Sequence, residues 1–480
     1  MIIMSNVPQK VEIAFEKLRK QYDFYIELKN INGHFYIYQA TSEWDAKKKK
    51  TRKVTHYIGK ITIDGQFREK GKRKCIKQSY REIFEYGNIA LAHTLIEDVE
   101  KILLEITPYG QDIIAMAILK AIDPKPLRLL PSQWSKMYLS REIEVNLSPN
   151  HTSSLLQHIG TIVSDWYNLF SKLIQKDDLI LYDLTAVFTY SENIKMAEKG
   201  YNAHRQFLEQ LGIIMAFSKT ENLPVGIDVF HGSMRDVKTI RDFVKRLPAR
   251  DFGFIFDRGF SSYKLLDDLD AENISYIVPL KKDSEYLGIE NIPWDEQFLY
   301  LKRPIRSTKL DNPHGSLFCF EDPRLKGEQE STLLKKVIEG TLSLEEYEVK
   351  KKRAGIIGLV SNLNEKSTIE IFELYKGREE VELAFDFMKN ELEADKTYLQ
   401  TDEGVRGYFF VTFLALRIYF GVLKRLREKG LNHKISVNEV FFELSKMQKI
   451  VEKGGRDYFA KAPKRAEDMY ALFEDMIPMG

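Results

Sequence analysis

Residues 179–187, LILYDLTAV, form a nearly continuous apolar run with one acid, Asp183, at its centre. A run of this length without polar alternation predicts a β-strand that is buried on both faces. A second run, FGFIF at residues 252–256, leads directly into Asp257, and a glycine two residues later favours a turn there. Two buried strands that carry or precede acids predict an α/β fold with carboxylates in the crevice at the strand ends.

Neither aspartate identifies a site by itself. An ionised Asp183 within a buried strand is unfavourable unless a cation or hydrogen-bond donors accompany it. A metal ion would supply that charge, but a neighbouring arginine or a turn would satisfy a buried aspartate equally well. Asp257 has an alternative too, because it could cap the helix predicted from about Ser261.

Residues 369–392 predict one amphipathic helix. Apolar side chains recur every three or four residues and form one stripe: Val381, Phe385, Met388 and Leu392. Polar side chains fall within roughly a 60° arc beside it, at about 100° per residue: Tyr375, Arg378, Glu382 and Lys389. An acid between two cations is also what an ordinary solvated helix face shows, because such pairs support helices.

The spacing Tyr375-x2-Arg378-x3-Glu382-x6-Lys389 resembles, at every interval, the tyrosine-arginine-glutamate-lysine signature of bacterial insertion-sequence transposases of the DDE class. Asp183, in Tyr-Asp-Leu-Thr, and Asp257, in Asp-Arg-Gly-Phe, resemble the first and second acids of that family. The acids are 74 and 125 residues apart, and the longer gap is similar to the family's insertion before the glutamate helix. The resemblance covers about residues 150–425.

The same resemblance is weaker around residues 232–236, GSMRD. Related proteins often carry a Gly-Asn turn followed by Asp at this point, whereas this chain has Ser233. Asp236 therefore receives no role.

This family resemblance implies that Asp183, Asp257 and Glu382 are the catalytic residues and bind two Mg²⁺ ions, with Mn²⁺ as a substitute. It implies that Tyr375, Arg378 and Lys389 bind DNA, and that the enzyme cleaves the ends of a mobile element and joins the 3′ ends to target DNA. The partners would be double-stranded DNA, as terminal inverted repeats and as target, and a second copy in a homodimeric DNA complex.

Two nearby acids compete for the role of third ligand. Measured around the helix from Tyr375, Glu379 lies at about 40°, Glu380 at about 140° and Glu382 near −20°. This geometry leaves Glu379 open and disfavours Glu380, and the family spacing selects Glu382. Two other functions also stay open: a ribonuclease H-like nuclease without strand transfer, and a non-catalytic DNA-binding protein derived from a transposase.

Charge is strongly segregated along the 480-residue chain. Residues 45–77 contain 13 Lys or Arg and three acids, a net charge of +10, so the rest of the chain carries −8 against a total of +2. Strand-like runs at 34–39 and 54–63 flank KKKKTRK at 47–53, which predicts a hairpin with a basic tip that contacts the DNA backbone. A merely solvated lysine-rich loop is the alternative.

The pattern of elements predicts an α/β fold with a ribonuclease H-like catalytic core at 173–282 and 353–428, interrupted by an insertion subdomain at 283–352. A basic module at 1–80 and a helical region at 81–172 precede the core, and a helical tail at 429–480 follows it. The stretch 140–159 is compatible with a helix-turn-helix. Trp294, in the insertion, is compatible with base stacking but more typical of a packed surface aromatic.

The cysteines and the apolar runs indicate where in the cell the protein is expected. Cys75 and Cys319 are far apart and lack CxxC or histidine-rich neighbours, so neither a disulfide framework nor a zinc ribbon is indicated. The N-terminus has no signal-peptide pattern, and the apolar run 408–423 contains Arg417, which predicts a buried core helix. These features predict a cytoplasmic, nucleoid-associated protein.

Overall fold

The computed structural model describes residues 7–479, apart from gaps at 46–49, 71–80, 202–206, 233–242, 244–245, 248–251, 258–260, 283, 285–286, 288–291, 395, 398 and 453–456. Two compact units make up the chain, Met1–Arg81 and Glu82–Gly480.

The first unit is a four-stranded antiparallel sheet with one helix and a small core of its own. Its elements are α1 (Gln9–Arg19), β1 (Ile26–Ile31), β2 (His34–Asp45), β3 (Lys50–Ile61) and β4 (Phe67–Glu69). The predicted hairpin is formed by β2 and β3, which pair in antiparallel register from Phe35↔Ile61 to Asp45↔Lys50. Of the expected basic tip at 47–53, residues 47–49 lie outside the described residues, and the rest belongs to β3.

The second unit contains the remaining elements. Its helices are α2 (Gly87–Thr94), α3 (Glu97–Ile106), α4 (Gly110–Ile122), α5 (Leu130–Trp134), α6 (Pro149–Thr161), α7 (Val163–Leu173), α8 (Tyr263–Ala271), α9 (Pro323–Ile338), α10 (Leu344–Lys351), α11 (Thr368–Lys376), α12 (Glu379–Asn390), α13 (Asp402–Glu428), α14 (Val437–Leu444) and α15 (Lys464–Leu472). Its strands are β5 (Arg81–Glu85), β6 (Asp178–Thr189), β7 (Glu198–Tyr201), β8 (Phe207–Ser218), β9 (Leu223–His231), β10 (Phe252–Ile255), β11 (Ser275–Pro279), β12 (Glu296–Tyr300), β13 (Arg303–Asn312), β14 (Gly315–Glu321), β15 (Ile356–Ser361), β16 (Lys396–Thr397), β17 (Gln448–Glu452) and β18 (Tyr458–Phe459).

A large mixed sheet forms the centre of this unit. Its central strands lie in the order β9-β8-β6-β10-β11. Strands β9, β8 and β6 are antiparallel neighbours, whereas β6, β10 and β11 run parallel. The apolar runs that predicted the strands at 179–187 and 252–256 are thus adjacent in space, since Ile255 of β10 pairs with Leu181 of β6.

Aromatic side chains cover one face of β6 and β10. The Tyr182 ring lies 5.5 Å from that of Phe243, 6.4 Å from that of Phe254 and 5.7 Å from that of Phe256. Successive side chains of a strand point to opposite faces. The residues that alternate with these rings therefore point to the other face, where α12 packs against β6 and β8.

Helix α13 is the buried core helix that the apolar run predicted, extended to 27 residues. It packs against α6 so closely that two positions have no space for a side chain: a Cβ on Gly407 would overlap the Leu156 carbonyl, and one on Gly160 would overlap that of Glu403. None of the helices among the described residues combines the length and the apolar character that crossing a membrane requires.

The insertion is continuous with the central sheet. Strands β12, β13 and β14 extend it through β15, which pairs with β11. Between β14 and β15 the chain forms helices α9 and α10, neither of which buries a residue. Trp294 is half-buried, and the Arg306 guanidinium lies 5.6 Å from its ring centroid, an arrangement typical of a packed surface aromatic.

Three expectations about helices were wrong. Residues 369–392 form two helices, α11 and α12, because Gly377 and Arg378 interrupt the regular pattern. The stretch 140–159 contains only α6, since the chain before Pro149 forms a short 3₁₀ turn. The tail after 429 is not wholly helical, because β17 and β18 form a small sheet with β5. Asp236, which received no role, lies outside the described residues.

The contact between α6 and α13 leads to a stability prediction. Gly407→Ala should lower the free energy of unfolding by about 1–3 kcal/mol, because the added Cβ forces the two helices apart. Gly327→Ala is the matched control, since Gly327 lies in α9 with open space around it. The control should raise stability by about 0.5–1 kcal/mol through helix propensity. Urea unfolding measures both; equal effects of the two changes would contradict the close approach.

Candidate active site

The two aspartates lie side by side because of strand register. Ile255 of β10 is paired with Leu181 of β6, and Asp257 and Asp183 each follow by two residues. Residues two apart on a strand share a face, and neighbouring strands are about 4.8 Å apart. Both carboxylates therefore lie on the face opposite to the Tyr182 ring. Asp257 does not cap the next helix, because Ser262 accepts the hydrogen bond from the Leu265 amide at 3.2 Å.

Glu382 reaches the same place from α12. This helix packs against β6 and β8, and its residues Val381 and Phe385 are buried. Glu382 itself remains 52% exposed, so its carboxylate lies at the rim of the site while the apolar stripe packs on the sheet.

The step between α11 and α12 positions Arg378. The Arg378 amide donates to the Tyr375 carbonyl at 3.2 Å, and the Val381 amide donates to the Arg378 carbonyl at 3.1 Å. These are the three-residue hydrogen bonds of a 3₁₀ turn, which rotates more per residue than an α-helix. A Cβ at Gly377 would overlap only the flexible end of the Lys219 side chain, which can move aside.

Arg378 joins two of the three acids. Its Nη1 donates to Asp257 Oδ1, and its Nη2 donates to Glu382 Oε1 at 2.6 Å. The arginine side chain is 18% exposed, compared with 37% for Asp257. Burial alone would lower the pKa of Arg378, but the charges of Asp257, Tyr375 and Glu382 outweigh it and the pKa is raised. The guanidinium is therefore firmly charged and acts as a shared counter-ion.

Asp183 is the acid with the strongest perturbation. Burial raises the pKa of Asp183 from 3.8 to about 6. The carboxylates of Asp257 and Glu382 raise it too, while the hydrogen bond from the Leu184 amide, at 2.8 Å, and the charge of Arg378 lower it. Asp183 thus interacts electrostatically with both other acids, so the three side chains form one cluster.

Lys389 reaches the site through Thr185, for which the sequence predicted no role. Its Nζ donates to Thr185 Oγ1 at 2.6 Å. Thr185 follows Asp183 by two residues on β6 and therefore shares its face. The sequence did contain a signal for Thr185. This residue stands two positions after Asp183 in an otherwise apolar strand, so the strand carries an acid and a hydroxyl on the same face.

The remaining polar residues of this segment take other positions. The Arg378 guanidinium lies 5.8 Å from the Tyr375 ring centroid, so Tyr375 contacts the cluster through Arg378. Glu380 pairs with Arg427 of α13 at 2.8 Å, in agreement with its low rank as a ligand. Glu379 is exposed at the start of α12.

The donor atoms of Asp183, Asp257 and Glu382 fit hard divalent cations, which prefer carboxylate oxygens. The raised pKa of Asp183 fits as well, because burial next to like charges makes the ionised form costly without a cation. Among the described residues, however, no group of three or more His, Cys, Asp or Glu is arranged so that it could hold a metal ion. Arg378 bonds to the Asp257 and Glu382 oxygens that such a site would use.

Residues 174–418, just over half of the chain, match the transposase DDE domain family. The matched range contains all three acids. The chain belongs to the transposase DDE domain family. This transposase domain spans β6 to β15 and the helices α11, α12 and most of α13, and therefore includes both strands and the helix that form the cluster.

The transposase also resembles a solved structure over most of its length. It is similar to a piggyBac transposase in a synaptic complex with hairpin DNA, at 9% sequence identity and a TM-score of 0.39, over 82% of this chain and 80% of that one. No curated protein matches the sequence.

The pKa of Asp183 predicts how stability depends on pH. A carboxyl whose pKa is raised by folding stabilises the protein below its unfolded value of 3.8, and this contribution is lost as pH rises through about 6. In EDTA at pH 8, Asp183→Asn should therefore be more stable than wild type by about 1–3 kcal/mol, and the difference should vanish near pH 4. Urea unfolding across this range measures it. Asp177→Asn, an exposed aspartate before β6, is the control; a pH-independent gain for Asp183→Asn would contradict the raised pKa.

Proposed function

We propose that this transposase binds the terminal inverted repeats of a mobile element, cleaves its ends and joins the 3′ ends to target DNA. The observation that carries the proposal is the convergence of Asp183, Asp257 and Glu382 on one face of the central sheet, within a chain of the transposase DDE domain family. The substrate would be double-stranded DNA, the active complex a homodimer that holds two DNA ends, and the location the nucleoid in the cytoplasm.

We also propose that the catalytic core is ribonuclease H-like. Three antiparallel strands, β9, β8 and β6, followed on the other edge of β6 by two parallel strands, β10 and β11, support this assignment. In such a core the first acid lies on the central strand and the second at the end of its parallel neighbour, which corresponds to Asp183 and Asp257. Bacterial insertion-sequence transposases with the tyrosine-arginine-glutamate-lysine signature remain the proposed subgroup.

In this proposal Asp183, Asp257 and Glu382 hold two Mg²⁺ ions, for which Mn²⁺ can substitute. When bound, the ions would supply Lewis-acid stabilisation of the attacking and leaving oxygens. The chain's own residues position the substrate: Arg378 is suited to bidentate contact with a phosphate and Lys389 to a point-charge contact. Thr185 orients Lys389 through its hydrogen bond, and Tyr375 supports Arg378.

The basic N-terminal unit is the proposed contact to the DNA backbone. At the described end of the β2–β3 hairpin, Lys50 and Arg52 are exposed, next to Trp44, which is 67% exposed. Lys53 is instead paired with Glu27. Cations and an exposed aromatic ring on one ribbon are suited to a phosphate backbone, whose counterions they would release.

The central test replaces each acid by its amide. Asp183→Asn, Asp257→Asn and Glu382→Gln should each reduce cleavage of a DNA end by more than about 100-fold, since even residues behind metal ligands cost 10–100-fold. DNA binding should persist, because phosphate contacts made by other residues remain. Glu379→Gln is the matched control on the same helix and should retain activity. Wild-type activity of Glu382→Gln would remove that residue from the site.

Strand transfer with a precleaved DNA end separates the three candidate functions. Joining of that end to target DNA supports a transposase. Divalent-dependent cleavage without joining would instead indicate a ribonuclease H-like nuclease, and binding with neither reaction would indicate a non-catalytic DNA-binding protein.

The N-terminal contact is tested by salt dependence. Replacing Lys50 and Arg52 together by Ala should weaken DNA binding and reduce the slope of log K against log salt by about 1.8, or about 0.9 for each lost phosphate contact. Lys335 and Lys336, exposed at the end of α9, give a double-alanine control with the same change of charge. Equal slopes for the two double variants, measured by fluorescence anisotropy, would place the DNA contact elsewhere.

A further inference from the structure

Arg378 occupies a different position from the one expected for a DNA ligand. Its two terminal nitrogens donate to Asp257 and Glu382, two of the three carboxylates proposed to bind divalent cations. The guanidinium is largely buried between them, with 18% of the side chain exposed. It therefore uses the same oxygens that a metal ion needs.

Charge makes simultaneous occupation unfavourable. Three ionised carboxylates and one guanidinium carry a net charge of −2, and two divalent cations would bring +4. A guanidinium left in contact with Asp257 and Glu382 would then lie beside cations in a partly buried site, where like charges repel more strongly than in water. Arg378 and the metal ions thus compete for one set of oxygens.

The backbone around Arg378 favours exchange. Arg378 lies in the two-residue step between α11 and α12 and not within either helix. Its side chain is long and has many rotamers, so the guanidinium can move by several ångströms without moving α12. A phosphate oxygen of bound DNA offers an arginine the same bidentate geometry as a carboxylate.

We propose that Arg378 is an exchangeable counter-ion. In the cation-free protein it holds Asp257 and Glu382 together against their repulsion. When divalent cations bind, it leaves these carboxylates and donates to a phosphate of the DNA end. This inference rests on the proposed function, because it takes the same three acids as metal ligands, and it adds an order of events: the arginine becomes available to DNA only after the cations have entered.

The test measures Mn²⁺ binding to the full-length protein without DNA, by electron paramagnetic resonance of free Mn²⁺. Arg378→Gln should bind Mn²⁺ about fivefold more tightly than wild type, the factor that corresponds to one partly exposed ion pair. In EDTA the same variant should have a lower thermal unfolding midpoint, because the repulsion between the acids is no longer compensated.

Two further variants serve as controls. Arg427→Gln removes the ion pair with Glu380 on the same helix, outside the cluster, and should lower the midpoint without changing Mn²⁺ affinity. Asp183→Asn should weaken Mn²⁺ binding, which shows that the measured ion binds at the acids.

The outcomes separate this proposal from the one on which it rests. Weaker or unchanged Mn²⁺ binding by Arg378→Gln overturns the exchange and leaves the metal site intact. Absence of Mn²⁺ binding in wild type and variant alike overturns both proposals. Tighter binding in the variant, together with no cleavage or joining of DNA ends by wild type, supports the exchange and overturns only the transposition reaction.

A separate measurement tests the proposed transfer of Arg378 to a DNA phosphate. With a duplex that carries the element's end, Arg378→Gln should reduce the salt slope of binding by about one in the presence of Mn²⁺, as expected for one lost phosphate contact. In EDTA the slopes of variant and wild type should agree. A loss of slope in EDTA, or none in Mn²⁺, overturns the proposed transfer of Arg378 to phosphate.

Discussion

Repulsion between three carboxylates is the constraint on which the site depends. The register of β6 with β10 places Asp183 beside Asp257, which follows the last paired residue of β10 by two positions. Glu382 adds a third charge from α12. The protein compensates these charges with the guanidinium of Arg378 and, at Asp183, with a raised pKa. The folded protein is therefore most stable when a cationic group lies among these three carboxylates.

The rest of the core holds this unfavourable arrangement in place. The rings of Tyr182, Phe254 and Phe256 interlock on the far face of the sheet, which fixes the direction in which the aspartates point. On the near face Phe387 of α12 packs against Tyr419 of α13, with ring centroids 4.5 Å apart. Helix α13 is itself tightly packed against α6. Helix α12, which carries Glu382, is therefore held in place by contacts that involve none of the charged side chains of the site.

Much of this could be predicted from the sequence, and the exceptions have physical reasons. Buried strands and α13 were recognised because a long apolar run permits few other structures. The division of residues 369–392 was missed, because the polar residues keep a helical spacing from Tyr375 to Lys389 while the hydrogen-bond pattern tightens locally between the two helices. The contact of Arg378 with Asp257 could not be foreseen either, since it depends on the distance between strand and helix. The addition of β12–β14 to the central sheet depends on pairing between segments that are remote in sequence.

Helices α9 and α10 add little to the packed core. They connect β14 to β15 and contribute no buried side chain, while the strands on either side are paired with each other along six residues. Helix α9 is bonded to the start of β15, because Gln329 accepts a hydrogen bond from the Gly355 amide at 3.0 Å, whereas α10 can become shorter or longer at little more than the entropy of closing a loop. Evolutionary variation in chain length is expected to concentrate at this one connection, whereas a deletion that removed β14 would leave β15 with an unpaired edge.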